Sequence, residues 1–364
     1  TFPSETAYAN WMYAARYAGD PDYESLLARG VRKYPANPVL LYLSGMLEHG
    51  HYANLKGQLR LEKAASLDPG YLDPWFSLVI HYMDQEPEKV DLALRKILEG
   101  GGIAEEIMDM SFNMLALLEP DAILITNGDN DTYPGWILTR LLNIRPDVRI
   151  VNRSLLNTDW YPAYVIREGI PRFITRVELL ILRSEILEDI KSGRRPDPSG
   201  SPFSDTLIVR IIKAAQREGR PVYFAATLAS SGTIDRYRSA GRLLGLVTLV
   251  TPTDKAYSQQ LRSLASTWTG QFRTGGLDSW RLRHARAADA GRKLMFNYFA
   301  SIHKLLDPLR RDAPNLVPDL FHWYRRHLEP IVPADQIDAM STTWCRAAEY
   351  PEIRAWCREQ GYLE

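Results

Sequence analysis

The sequence lacks the features that most quickly place a protein in a class. Its 364 residues carry no excess charge, since 44 acidic residues balance 44 basic ones. The basic, aromatic-interleaved pattern of nucleic-acid-binding proteins is missing, so no nucleic-acid partner is predicted. No run of about 18 apolar residues occurs, so no membrane-spanning segment is predicted. These absences indicate an ordinary globular protein whose binding sites are local.

Sequence fingerprints of the common catalytic folds are also missing. There is no Gly-x-Ser-x-Gly elbow, no Walker loop and no Gly-x-Gly-x-x-Gly loop. None of the seven histidines lies between residues 118 and 256, where an α/β pattern is found. The sequence therefore excludes the hydrolases, nucleotidases and dinucleotide enzymes that are recognised by those motifs.

Cysteine is scarce, and Cys345 and Cys357 are the only two in the chain. Two cysteines alone are too few for a metal cage. Residues 344–360 are predicted to form two short helices broken at Tyr350-Pro351, a hairpin that would bring the thiols within the roughly 5.5 Å Cα separation of a disulfide. Two interpretations stay open: a disulfide, or two buried thiols that pack as small apolar groups.

Residues 1–117 are predicted to be helical and weakly repetitive. Pro35 and Pro69 each follow a helical stretch rich in leucine and alanine, and they are 34 residues apart. That spacing is the period of tetratricopeptide (TPR) repeats, in which stacked helix pairs are separated by a proline turn. The segment resembles that family, and such repeats predict a surface for a protein partner.

From about residue 118 the pattern changes to short apolar runs that alternate with helical segments. The predicted strands are 122–126, 148–151, 222–226 and 246–250, and one of the predicted helices is 234–244. Such alternation predicts a Rossmann-like parallel sheet with helices on its faces. The predicted fold class is thus α/β plus all-α. Its parts are TPR-like repeats at 1–117, a Rossmann-like α/β domain at 118–256 and a C-terminal helical region at 257–364.

Polar residues follow the predicted strands. Ligands of parallel sheets bind beyond the carboxyl ends of the strands, so these residues are expected at one edge. The candidate ligand-binding residues are Asn127, Asp129, Asn130, Asp131, Thr132, Asn157, Thr158, Asp159 and Trp160. Helix N-termini at that edge would favour an anionic or sugar-like ligand. One of these helices is predicted to have Pro134 in its first turn and Thr132 or Tyr133 as its cap.

Asp129 and Asp131 are also the candidate metal ligands. A divalent cation prefers oxygen ligands, and two carboxylates on one turn would supply them. Asp-x-Asp after a strand is typical of many glycosyltransferases and of haloacid-dehalogenase phosphatases, although the phosphatases have Thr or Val where this chain has Tyr133. The structural alternative is that both acids only shape and cap a strand-to-helix turn.

Several longer stretches together resemble one family. They are residues 123–134, 144–152 and 154–161, then Arg220-Pro221-Val222-Tyr223-Phe224-Ala225, Gly275-Gly276-Leu277-Asp278 and Met295-Phe296-Asn297-Tyr298. In this order they resemble the soluble C-terminal region of the polytopic bacterial family called protein O-mannosyltransferase-like, a domain of unknown function. The resemblance implies an extracytoplasmic domain with prominent motifs at 127–132 and 157–160. Glycosyl transfer in such proteins would belong to a membrane-embedded part, which is not in this sequence.

Three functional interpretations follow. The leading one is a noncatalytic binding or assembly module, with a TPR-like surface for a protein partner and an α/β cleft for a glycan-like, sugar-nucleotide or anionic ligand. The second is a metal-dependent enzyme of sugar or phosphate transfer that uses Asp129, Asp131 and Asp159 around a divalent cation. The third is a structural subunit of an extracytoplasmic assembly.

Location is the least constrained prediction. The chain begins at Thr1 rather than Met, as signal removal, loss of a membrane anchor or trimming would each produce. A periplasmic or cell-surface location is expected, with membrane association through a partner or a lost anchor left open, and a cytoplasmic location is the alternative.

Overall fold

The computed structural model describes residues 3–47, 55–194, 202–286, 289–333 and 336–363. It is mostly helical and contains one small five-stranded sheet. In chain order the helices are α1 (Glu5–Ala18), α2 (Tyr23–Lys33), α3 (Pro38–Leu47), α4 (Leu55–Leu67), α5 (Asp73–Gln85), α6 (Val90–Glu99), α7 (Glu105–Ala116), α8 (Asp129–Trp136), α9 (Tyr161–Arg167), α10 (Arg176–Lys191), α11 (Pro202–Arg217), α12 (Gly232–Ala240), α13 (Tyr257–Gln271), α14 (Gly275–Asp278), α15 (Trp280–Arg283), α16 (Ala290–Asp312), α17 (Val317–His327), α18 (Ile337–Cys345) and α19 (Pro351–Glu359). The strands are β1 (Ile123–Thr126), β2 (Arg149–Asn152), β3 (Val222–Ala225), β4 (Arg242–Leu244) and β5 (Val247–Leu249).

The chain forms two compact units. Unit 1 comprises Thr1–Gly102 and Leu156–Arg167, and unit 2 comprises Ile103–Leu155 and Glu168–Glu364. The predicted division into three domains, at 1–117, 118–256 and 257–364, stays a prediction. No described helix is both long enough and apolar enough to cross a membrane.

Unit 1 is built from helices α1 to α6 together with α9. Consecutive helices from α1 to α6 pack against one another. Helices α2 and α4 end 34 residues apart, at Lys33 and Leu67, and α3 and α5 begin 35 residues apart. Small residues allow close approach: a side chain on Gly30 would overlap the ring of Tyr8, and one on Gly45 would lie 2.9 Å from Leu61. The helices of unit 1 therefore fit a repeat-like fold.

The sheet of unit 2 has the strand order β2-β1-β3-β5-β4. β2, β1 and β3 are parallel, as predicted, and Ile123 of β1 lies between Arg149 and Val222 of its two neighbours. All four residues of β1 are buried, which explains why it appears in the sequence as a continuous apolar run rather than an alternating one. These three strands therefore end at the same edge of the sheet.

The prediction of an entirely parallel sheet is wrong at the other side. β5 is antiparallel to both β3 and β4, so the sheet is mixed. The predicted helix over 234–244 is also too long, because α12 ends at Ala240 and β4 follows it. β4 and β5 form a hairpin whose two turn residues begin with Gly245 at φ 69°, a left-handed conformation that glycine adopts without strain.

Helix α7 joins the sheet to the C-terminal helices within unit 2. The side chain of Asn113 is fully buried. Its NH₂ group donates to the Arg273 carbonyl at 2.9 Å and to the Tyr298 hydroxyl at 2.8 Å. Its oxygen accepts from the Arg273 N–H at 2.7 Å. One turn earlier, Asp109 accepts a hydrogen bond from the Gly276 N–H at 2.8 Å. Asp109 and Asn113 together form a buried polar ladder on α7. This ladder binds two stretches that lie about 160 and 185 residues further along the chain.

The two cysteines form a disulfide between α18 and the start of the last turn of α19. Cys345 and Cys357 have a Cα–Cα separation of 5.9 Å, and the helices are separated by a turn that ends at Tyr350. Of the two interpretations left open by the sequence, the structure has the disulfide.

Candidate functional site

The carboxyl ends of β1, β2 and β3 carry the polar residues of the candidate site in unit 2. Asn127 follows β1, Arg153 follows β2, and Thr227 and Ala229 follow β3. Asn127 accepts a hydrogen bond through its side-chain oxygen from the Ala229 N–H at 2.9 Å. The loops after β1 and β3 are therefore fastened to each other, and the strand-end edge, defined here as residues 127–132, 152–154 and 227–231, is a built surface.

Asp131 is the centre of that surface. Only 5% of the residue is exposed, and its carboxylate accepts hydrogen bonds from the N–H groups of Asn127 (2.7 Å) and Gly128 (2.9 Å) and from the hydroxyl of Thr227. Both oxygens are used in this way, and charge-assisted bonds of this kind are among the strongest in proteins. Asp131 thus fixes the β1–α8 turn and joins it to the loop after β3.

These contacts explain where α8 begins. The helix starts at Asp129, and Pro134 is its sixth residue rather than a residue of its first turn, as the sequence had predicted. Neither Thr132 nor Tyr133 is the cap, because Asp131 receives the turn amides instead. Proline has no N–H to donate, and the helix continues after Trp136 as a wider π-helical turn at Ile137–Leu141.

Thr132 lies below the surface of the edge. It is fully buried, and its hydroxyl is 2.6 Å from that of Thr126 and accepts from the Asn152 amide at 3.1 Å. The oxygen of Asn152 in turn accepts from the Leu155 N–H at 3.0 Å. Thr132 therefore links the ends of β1 and β2, and a ligand could bind its hydroxyl only by displacing these hydrogen bonds.

A buried ion pair beside the edge was missed by the sequence reasoning. Arg153 and Asp205 are each 6% exposed, and their charged groups are 2.7 Å apart. The Arg153 guanidinium also donates to the Ala229 carbonyl at 2.8 Å. The second oxygen of Asp205 accepts from the hydroxyl of Ser231, the N-cap of α12, at 2.6 Å. No local sequence pattern connects Asp205 to Arg153.

Asp129 and Asn130 are the candidate residues that face outward. Both are exposed, and neither side chain makes a hydrogen bond or ion pair with any described residue. The pKa of the Asp129 carboxyl is raised for two reasons. The larger is that neighbouring protein removes part of the water around the carboxylate, and the smaller is the negative charge of Asp131. The edge therefore presents one carboxylate and one amide to solvent.

The remaining candidate residues belong to unit 1. Asn157, Thr158, Asp159 and Trp160 are all partly buried, and the Thr158 hydroxyl accepts from the Tyr161 N–H at 3.3 Å. Thr158 thus caps α9, and Trp160 directly precedes the helix. The ring of Trp160 packs edge-on against Tyr161, with ring centroids 5.5 Å apart.

The residues available to a metal ion are few. No group of three or more His, Cys, Asp and Glu side chains in the described part of the chain is arranged to hold one. Asp129 has a free carboxylate, whereas that of Asp131 is occupied by hydrogen bonds. Metal binding by this pair therefore stays a prediction.

Comparison with known proteins gives one partial match. A family model described as TMEM260-associated domain 2 matches residues 107–168, about one sixth of the chain. This stretch includes most of α7, β1, α8, β2 and α9, and with them all nine candidate residues. The match points to a TMEM260-related, protein O-mannosyltransferase-like family. No curated protein matches the chain.

Proposed function

We propose that this chain is a noncatalytic binding or assembly module of the protein O-mannosyltransferase-like family. The observation that carries the proposal is the state of Asp131, whose carboxylate is buried and accepts three hydrogen bonds from its own unit. A residue committed in this way is a poor metal ligand or general base, because either role would leave buried donors unpaired. The geometry therefore supports recognition at the strand-end edge more than metal-assisted transfer.

The helical repeats of unit 1 are proposed to be TPR-like and to bind a protein partner. The regular spacing of helix ends and the close approach at Gly30 and Gly45 support the repeat. Several large apolar side chains of this unit are exposed to solvent, including Tyr17 (72%), Leu55 (64%) and Leu59 (55%). Exposed apolar and aromatic side chains are what a protein interface buries.

The ligand of the strand-end edge is proposed to be glycan-like. Asp129 accepts hydrogen bonds and Asn130 both donates and accepts them, a combination that suits the hydroxyl groups of a sugar. An anionic ligand is less well matched, because Asp129 is negative and the nearby Arg153 is already paired with Asp205. The family match adds support, since it covers this edge and points to a family named for sugar transfer.

An extracytoplasmic location is part of the proposal. The disulfide between Cys345 and Cys357 supports it, because disulfides persist mainly in oxidising compartments. The resemblance to a region expected outside the cytoplasm is a second support. Contact with a membrane would then come through a partner rather than through a described helix of this chain.

Ligand binding and turnover distinguish the proposal from the enzyme alternative. Melting temperature is measured with mannose and glucose oligosaccharides and with their nucleotide sugars, each with and without Mg²⁺ or Mn²⁺. We expect a metal-independent rise with an oligosaccharide that is reduced in Asp129→Asn and Asn130→Ala, and unchanged in Glu218→Gln, which removes an exposed charge elsewhere in unit 2. Metal-dependent release of nucleotide from a nucleotide sugar, lost in Asp129→Asn, would instead establish the enzyme.

A further inference from the structure

A cavity lies in unit 2, between one face of the sheet and α13. Its volume is about 270 Å³, and its lining includes Tyr223 of β3 and Gln260, Ser263 and Thr267 of α13. Glu119 and Lys255 also line it. Glu119 precedes β1, and Lys255 follows the antiparallel β5, so both lie toward the end of the sheet where the parallel strands begin. The cavity is therefore distinct from the strand-end edge.

Tyr223 contributes a buried hydroxyl to this cavity lining. The residue has no exposed surface, and its hydroxyl donates a hydrogen bond to no described residue. Burial raises the pKa of this tyrosine, and the negative charge of Glu119 raises it further, so the hydroxyl keeps its proton at neutral pH. The backbone N–H of Glu119 is close by, but it can only donate. The phenol proton therefore still requires an acceptor.

Gln260 contributes a second unpartnered donor. It is 7% exposed, and its side-chain oxygen accepts from the Arg242 guanidinium at 2.8 Å. That bond fixes the orientation of the amide, because the oxygen and not the nitrogen must face Arg242. The Nε2 group has no acceptor among the described residues. Leaving such a donor buried and unpaired typically costs about 1–3 kcal/mol.

The charges around the cavity favour an anion. Lys255 forms an ion pair with Glu119 at 3.0 Å, so these two charges largely offset each other. Arg242 contacts Gln260, and its other hydrogen bond goes to the Lys255 carbonyl, so no carboxylate in the described part of the chain pairs with it. Arg145, near Tyr223, is likewise paired, with Asp147 at 2.7 Å, so Arg242 is the charge that favours an anion.

We propose that this cavity binds a small molecule through a carboxylate group, whose two oxygens accept hydrogen bonds from the Tyr223 hydroxyl and the Gln260 amide. The volume lies just below the usual range of ligand pockets, so the ligand is of simple metabolite size. Ser263 and Thr267 hold hydroxyls in the same lining, which suits a carboxylate that also carries hydroxyl groups. This site is independent of the function proposed for the strand-end edge.

The test uses two matched pairs of probes on the full chain, glucuronate against glucose and acetate against acetamide, with binding measured by calorimetry and by melting temperature. We expect a saturable signal from glucuronate and a weaker one from acetate, with none from the two neutral probes. Tyr223→Phe, which removes one oxygen without changing shape, is expected to weaken binding at least tenfold. Gln260→Glu keeps an acceptor for Arg242 but repels a carboxylate, and it is expected to abolish binding.

Tyr257→Phe is the matched control, because Tyr257 donates to the Leu243 carbonyl at 3.0 Å and does not line the cavity. It is expected to bind glucuronate as the wild type does. No binding of either carboxylate, or equal binding by the wild type and Tyr223→Phe, would overturn the proposal. A wild-type protein that does not respond to carboxylates, together with a Tyr223→Phe protein that is more stable in every buffer, would show that the hydroxyl is an unpaired group without a ligand.

Discussion

Replacing Asp131 by asparagine should destabilise the protein strongly, even though the residue lies at the acid-rich start of α8, where the sequence resembles a metal site. The substitution keeps the size of the side chain but exchanges one acceptor oxygen for an NH₂ group and removes the charge. In the structure both oxygens accept, from the N–H groups of Asn127 and Gly128 and from Thr227. At least one of these donors would then face another donor.

The expected loss follows from the burial of these groups. A hydrogen bond to a charged group contributes about 1.5–3 kcal/mol, and a buried donor left unpaired costs about 1–3 kcal/mol. With one donor unpaired and the charge lost from the rest, the free energy of unfolding should fall by roughly 2–4 kcal/mol. Asp129→Asn provides the matched control: its side chain is exposed and makes no hydrogen bond with a described residue, so a change within about 0.5 kcal/mol is expected.

Urea unfolding followed by tryptophan fluorescence gives both values, and amide hydrogen exchange locates the effect. The N–H groups of Asn127 and Gly128 should exchange slowly in the wild type and in Asp129→Asn, and faster in Asp131→Asn. Equal stability of Asp131→Asn and the wild type, with unchanged exchange at these two amides, would refute the structural role. A loss in Asp129→Asn as large as that in Asp131→Asn would also refute it.

Three further predictions concern other parts of unit 2. Cys345→Ser should lower the free energy of unfolding by about 3 kcal/mol, because the disulfide closes a short loop and so restricts the unfolded chain. Urea unfolding of the variant, and of the wild type with and without reductant, measures this loss. Arg145 lowers the pKa of Asp147 to about 2, so this ion pair stabilises the fold fully above about pH 4. Its contribution to the free energy of unfolding, roughly 1–2 kcal/mol after screening, is lost as the pH falls toward 2. Asp147→Asn should therefore flatten that part of an acid-unfolding curve. Gly276→Ala should prevent stable folding or lower the free energy of unfolding by at least about 3 kcal/mol, because a Cβ there would overlap the backbone of Glu106. Melting followed by circular dichroism measures this, and a variant that melts like the wild type would contradict the prediction.

The parts of the fold that depend on local pattern were predictable. The buried run at β1 and the regular proline spacing of the first helices were visible because burial and helix packing impose short periods on the sequence. The direction of β5 was not visible, because an apolar strand of three residues has the same pattern in either orientation. Only the two-residue turn at Gly245 determines it, and a single glycine is a weak signal.

The sequence predicted where the cluster after β1 lies, but not the role of each residue in it. The cluster after β1 does lie at a strand-end edge, but Asp131 and Thr132 are buried parts of its framework and only Asp129 and Asn130 face outward. Sequence alone could not separate these roles, because Asp, Asn and Thr serve both turns and ligands. The pairing of Arg153 with Asp205 was invisible for a different reason: it depends on tertiary contact between distant segments.

The polar ladder on α7 has a practical consequence for dissecting the protein. A fragment that begins at residue 118 would lose Asn113 and Asp109, and the Arg273 and Gly276 backbone groups that they satisfy would lose their partners. A fragment that ends at residue 256 would instead lack Arg273 and Gly276. The side chains of Asn113 and Asp109 would then be buried polar groups without these hydrogen-bond partners. Expression of unit 2 should therefore begin before α7 and continue beyond Tyr298, and shorter pieces should be recovered mainly as aggregates.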